Sequence, residues 1–179
     1  MKKTISTLTL ATLIPVLAIA QEAETDATQS EAPAAPCSSD AYRQFDFWIG
    51  EWAVSQPNGT VAGENSIQPI LNGCVLMEQW QGAGGSTGKS FNMYDAPNDK
   101  WRQTWVDGNG GRLDLAGRLD GEAMVLSGER PGRDGAMVSH EIRWTPQDDG
   151  TVRQHWRASR DGGETWNDLF VGIYTKKDS

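Results

Sequence analysis

Beyond Phe45 the chain alternates apolar and polar residues in short runs, among them CVLMEQW, KSFNMY, KWRQTWV, GRLDLAGRL, EAMVLSGE, MVSHEIRW, TVRQHWRAS and TWNDLFVGIY. A two-residue period puts successive side chains on opposite faces of an extended strand. Turn chemistry separates the runs at Asn58-Gly59, Asn72-Gly73, Gly84-Gly85, Pro97-Asn98, Gly108 to Gly111, Asp120-Gly121, Asp134-Gly135, Asp149-Gly150 and Gly162-Gly163. No window carries a helical period over the length of a helix, although one short helical turn is expected between Tyr42 and Phe47. About ten strands in one antiparallel meander leave two unpaired edges unless the sheet closes on itself. The pattern therefore predicts an all-β fold, an up-and-down antiparallel barrel of about ten strands.

The same period assigns faces. Trp101, Gln103 and Trp105 share one face of their strand, and Leu113, Leu115 and Leu119 share one face of the next. Val138, His140, Ile142 and Trp144 line up together, as do Val152, Gln154 and Trp156. In CVLMEQW the inward set is Leu76, Glu78 and Trp80, and Ser90, Asn92 and Tyr94 are expected to join it from the neighbouring strand. The interior then holds Glu78, Asn92, Tyr94, Gln103, His140 and Gln154 among Trp80, Trp101, Trp105, Trp144 and Trp156. Buried polar groups need hydrogen-bond partners, supplied by one another or by something bound. An aromatic-walled cavity with a few convergent polar groups is the usual form of a small-molecule site, whereas a barrel filled solid by its tryptophans is the alternative.

The stretch SRDGGETW at 159–166 resembles the Asp-box of sialidase propellers, with which it shares S-x-D-x-G-x-T-W. It falls between two strands, and the chain has no room for several propeller blades. It is therefore expected to be a hairpin, with Asp161 capping the turn, Gly162 and Gly163 taking positive φ and Trp166 covering it.

The N-terminus changes the setting. Lys2 and Lys3 precede a short apolar stretch that ends at Ala18-Ile19-Ala20, the plan of a secretory signal peptide over residues 1–20 and too short for a membrane span. Residues 21–36, QEAETDATQSEAPAAP, contain no large apolar side chain and predict a disordered acidic linker. One barrel domain at 37–179 follows, in a periplasmic or secreted protein with no membrane anchor. The net charge of −8 disfavours nucleic acid and anionic lipid as partners, and the lysines and arginines are scattered along the sequence. The two cysteines, Cys37 and Cys74, are expected to form one disulfide in an oxidising compartment. It would close a loop of about 36 residues, worth about 3–4 kcal/mol on the chain-entropy model.

Candidate ligand-binding residues are Glu78, Trp80, Trp101, Gln103, Trp105, His140, Trp144 and Trp156, with a small apolar molecule as the partner. No catalytic residue, metal site or cofactor is assigned. Glu78 and His140 as an acid–base pair in an enzyme is the competing reading, and a solid-core interaction module is another. His155 is expected to face solvent. The chain has no G-x-S-x-G, phosphate loop or dinucleotide fingerprint.

The segments FDFWIGEW (45–52), GCVLMEQW (73–80), Tyr94-Asp95, WRQTWVD (101–107) and VRQHWRASRDGGETW (152–166) together resemble a bacterial domain-of-unknown-function family with a lipocalin-like (calycin) barrel. The resemblance implies an exported barrel that takes a small apolar ligand, and it brings no catalytic residues. A more distant likeness to nitrobindin implies a haem barrel. Here, however, Ala53 and Val54 follow Trp52, and the final strand, FVGIYTKK, has no histidine, so iron would have to be held by His140.

Overall fold

The computed structural model describes residues 35–177. The expected signal peptide and nearly all of the expected linker lie outside them. Ten strands run in chain order: β1 (Gly50–Ser55), β2 (Val61–Ile70), β3 (Val75–Gly82), β4 (Thr87–Asp95), β5 (Lys100–Asp107), β6 (Arg112–Asp120), β7 (Ala123–Pro131), β8 (Met137–Pro146), β9 (Val152–Ser159) and β10 (Asn167–Lys176). Each pairs antiparallel with its neighbour in sequence, and β1 closes on β10 through Trp52 opposite Lys176 and Val54 opposite Tyr174. The fold is thus the expected all-β, closed, ten-stranded up-and-down barrel, compatible with a lipocalin-like architecture. Closure leaves no free sheet edge.

Two strands escape a reading by alternation. β2 turns Gly63, Asn65 and Ile67 inward and carries Pro69 near its end, so it has no apolar period to find. β1 is short, and its register with β2 shifts between Val54 and Ser55.

Strict up-and-down connection puts alternate loops at opposite ends. The β2–β3, β4–β5, β6–β7 and β8–β9 loops share one end with the segment that precedes β1. That segment forms two 3₁₀ turns, Asp40–Arg43 and Asp46–Trp48, where one short helical turn was expected. Between and within them Phe45 and Trp48 enter the barrel, both 0% exposed. Phe45 stacks on Trp48 at 4.9 Å and meets the edges of Trp101 and Trp144 at 5.5 and 5.3 Å. Trp48 also reaches Trp144 and Tyr174, and Trp52 packs against Tyr174. This end is plugged with aromatic rings.

The plug is tied down covalently and by hydrogen bonds. The Cys37–Cys74 disulfide joins the segment to the β2–β3 loop, as expected from the cysteine count, and is the mark of an oxidising compartment. Arg43 donates to the Gly73 carbonyl at 2.5 Å and pairs with Asp46 at 3.3 Å. Trp101 Nε1 donates to Gln44 Oε1 at 3.2 Å. Among the described residues no helix is long and apolar enough to cross a membrane.

Candidate functional site: a hollow barrel mouth

The opposite end carries the β1–β2, β3–β4, β5–β6, β7–β8 and β9–β10 loops, and among the described residues no segment fills it. A cavity of about 450 Å³ opens there, walled by Trp80, Trp105, Trp144, Trp156 and Phe170. Val61, Ala62, Leu113, Ile142 and Leu169 supply aliphatic surface, and Glu78, Gln103 and Gln154 supply the polar part. Trp144 belongs to both halves: it packs against the plug and also lines the cavity. The choice between a filled and a hollow barrel resolves by end. Trp48, Trp52 and Trp101 are buried in the plugged half, while Trp80, Trp105 and Trp156 stay half-buried around the open one.

Local sequence explains the wall. A Cβ at Gly88 would collide with the ring of Trp105, so glycine there lets the indole lie flat across β4. In β10 the register with β9 shifts between Asp168 and Phe170. This bulge leaves Leu169 outside the ladder, and the leucine lines the cavity although half of it remains in solvent.

Beneath the rings runs a polar network. Glu78, only 5% exposed, accepts from Ser90 Oγ at 2.6 Å and from Asn65 Nδ2 at 2.7 Å. Gln103 donates to Asn92 Oδ1 at 2.8 Å, and Asn92 donates to Ser90 Oγ at 2.9 Å and to the Leu76 carbonyl at 3.1 Å. On the other side Asn65 Nδ2 donates to Tyr174, whose hydroxyl donates to Gln154. No cation faces Glu78 within ion-pair distance among the described residues. Burial therefore pushes its carboxyl above the ordinary 4.5, and the hydrogen bonds from Ser90 and Asn65 offset this only in part. Burial, followed by the Glu78 charge, raises the Tyr174 phenol as well.

Each predicted residue can now be placed. Glu78, Trp80, Gln103, Trp105, Trp144 and Trp156 line the cavity. Trp101 does not; it lies on the inner face as expected, but near the plugged end, where Phe45 and Tyr94 cover it. Tyr94 does not join the interior polar set. At the end of β4 its ring meets Tyr42 at 5.2 Å, and its hydroxyl donates to Asp99 Oδ1 at 2.6 Å outside the barrel.

His140 faces inward but opens on a second depression and not on the aromatic cavity. Its Nδ1 accepts from Trp156 Nε1 at 3.1 Å, so a neutral ring carries its proton on Nε2. Burial, then the charge of Arg130, holds its pKa below the ordinary 6.5. Glu78 and His140 therefore answer to separate partners and share no hydrogen bond. The histidine that the haem likeness would need, His140, lines the second depression and not the aromatic cavity. His155 is on the outer face, 2.6 Å from Asp168.

SRDGGETW is the expected hairpin. Ser159 Oγ donates to Asp161 Oδ1 at 2.6 Å, the Thr165 amide donates to the same oxygen at 2.9 Å, and Trp166 Nε1 donates to the Gly163 carbonyl at 3.1 Å. Gly162 and Gly163 take φ of 76° and 98°. These donors, led by Ser159 and Thr165, hold the Asp161 carboxyl far below the usual carboxylate range.

Sequence reasoning missed Phe170 and Leu169 in the wall and Phe45 and Trp48 under the floor. It also missed four arginines at the mouth: Arg112, Arg130, Arg133 and Arg160. No family model matches the chain, and no curated protein matches it. The resemblance to the domain-of-unknown-function family and to nitrobindin thus rests on the quoted segments alone.

Proposed function

We propose that this protein is an exported carrier or receptor of a small, mostly apolar molecule, which enters the open end of the barrel and lies among Trp80, Trp105, Trp144, Trp156 and Phe170. The observation that carries this reading is the open-ended cavity of about 450 Å³, walled by five aromatic rings above a hydrogen-bonded polar floor. Small-molecule sites fall at about 300–1,000 Å³ and combine apolar walls with a few fixed polar groups, as here. The rings contribute apolar contact area, and Gln103 and Gln154 orient whatever polar atom the molecule has. Because the network already holds these amides, binding need not order them, which preserves affinity. The disulfide and the leader-like sequence MKKTISTLTLATLIPVLAIA support export and a periplasmic or secreted location. The lipocalin-like resemblance supports the same role.

The test is a fluorescence titration of the purified protein with the neutral probe N-phenyl-1-naphthylamine. The reading expects saturable one-site enhancement, weakened at least tenfold in Trp105→Ala. Absence of saturable binding by the wild type would overturn it.

A further inference from the structure

The second depression lies beside the aromatic cavity, at the same end of the barrel, and has a volume of about 720 Å³. Its chemistry is the reverse of the protein's average. The chain has 24 acidic residues against 16 basic ones, yet four arginines line this depression, and no aspartate or glutamate does. Arg112 and Arg160 are already neutralised, by Asp114 at 2.7 Å and Asp134 at 2.8 Å. Arg130 and Arg133 have no carboxylate within 4.0 Å among the described residues.

Strand register aims part of this charge into the barrel. On β7 the inward column is Leu126, Gly128 and Arg130, and these face Ile142, His140 and Val138 on β8. Arg130 thus stands on the inner face at the lip of the mouth, one ladder step above His140. His140 is 4% exposed and has one nitrogen bonded to Trp156; its other nitrogen lacks a protein partner and lines the depression. Its Nε2–H is therefore free to donate to a group bound in the depression. A neutral His140 N–H and two guanidinium groups make a set of donors, to which an anion's oxygens can serve as acceptors. Leu169 lines both spaces, and Trp156 touches the aromatic one while bonding to His140 in the other.

We propose that Arg130, Arg133 and His140 form an oxyanion site, which takes the carboxylate, sulfonate or phosphate end of the same molecule whose apolar body fills the aromatic cavity. The ligand is then an anionic amphiphile. This rests on the binding reading above, which supplies the place for the apolar body. Charge-assisted hydrogen bonds from guanidinium groups at a partly shielded rim are strong enough to favour the charged molecule by about tenfold or more. The preference weakens as salt screens the rim.

The experiment compares two probes that share one aromatic body: neutral N-phenyl-1-naphthylamine and its sulfonated analogue, 8-anilinonaphthalene-1-sulfonate. The wild type is expected to bind the sulfonate about tenfold or more tightly than the neutral probe. Arg133→Gln, on an exposed loop, should reduce that ratio, and the Arg130→Gln/Arg133→Gln double variant should bring it near one. Lys100→Gln, at the far end of the barrel, should keep it. Equal affinities in the wild type overturn the oxyanion site and leave the cavity reading standing. If neither probe binds, the cavity reading falls, and inorganic phosphate then tests the site alone through the imidazole ¹⁵N shifts of His140. A saturable change lost in the double variant supports the site, and no change removes it.

Discussion

The two ends of this barrel are built from similar side chains and put them to opposite uses. At the plugged end Phe45 and Trp48 arrive from outside the sheet and meet Trp101 and Trp144, and every ring is closed in by others. At the mouth Trp80, Trp105 and Trp156 come from the strands alone, no segment among the described residues crosses to meet them, and they line a cavity. Tryptophan stabilises a fold in proportion to how completely it is enclosed. The plugged end is therefore the stability element, and the mouth contributes less to stability. The disulfide follows the same division, pinning the plug and leaving the mouth free.

The comparison breaks most visibly at Trp48. Trp48→Ala removes a fully enclosed ring from the plug and should cost about 3–5 kcal/mol, read by urea denaturation. Next comes the staple: Cys37→Ser with Cys74→Ser should cost about 3–4 kcal/mol through loop-closure entropy, with the same readout. Trp105→Ala, at the half-buried mouth, should cost only about 1–2 kcal/mol while abolishing most binding. Equal losses for Trp48→Ala and Trp105→Ala would erase the distinction between the ends.

The smaller effects depend on pH. Glu78 has a folded pKa raised above its ordinary 4.5, so its contribution is fully present below that value and is lost as pH rises through the raised one. Glu78→Gln should therefore flatten the fall in melting temperature between mildly acid and neutral pH. The variant can keep its hydrogen bond to Asn65, because Asn65 Oδ1 has no partner and an amide flip presents it to the new NH₂ group, at the expense of the longer Asn65–Tyr174 bond. The turn carboxylates act in the opposite sense. Asp161 is held below its ordinary 3.8, so its contribution is present above that value and lost as pH falls through the lowered one. Asp161→Asn should remove a small part of the acid limb of the melting curve and leave binding at neutral pH unchanged.

The barrel was legible because closure follows from local pattern. Turn residues at regular spacing and strict alternation in β5, β8 and β9 placed the strands and their faces, including the inward His140, and on β3 the shared parity of Glu78 and Trp80 turned Glu78 inward. The plug was not legible in the same way, since FDFWIGEW has no strand period and its destination depends on a turn that folds it back through the barrel end. The arginines were hidden for a related reason. Arg112, Arg130, Arg133 and Arg160 are spread over 49 positions and look scattered in sequence. Up-and-down connection returns every second loop to the same end, so four residues from successive hairpins converge there. Tyr94 shows the limit of period alone: its parity is inward and its ring packs on Trp101, but its hydroxyl reaches out to Asp99 and not to the interior network.

The central claim, a hollow mouth opposite a solid plug, is tested most directly by a crystal structure of the protein grown with N-phenyl-1-naphthylamine. The account predicts the probe's rings among Trp80, Trp105 and Trp156, above an unchanged Phe45–Trp48–Trp144 cluster. A mouth filled by its own tryptophans, with the probe absent or seated on the outer face, would contradict it.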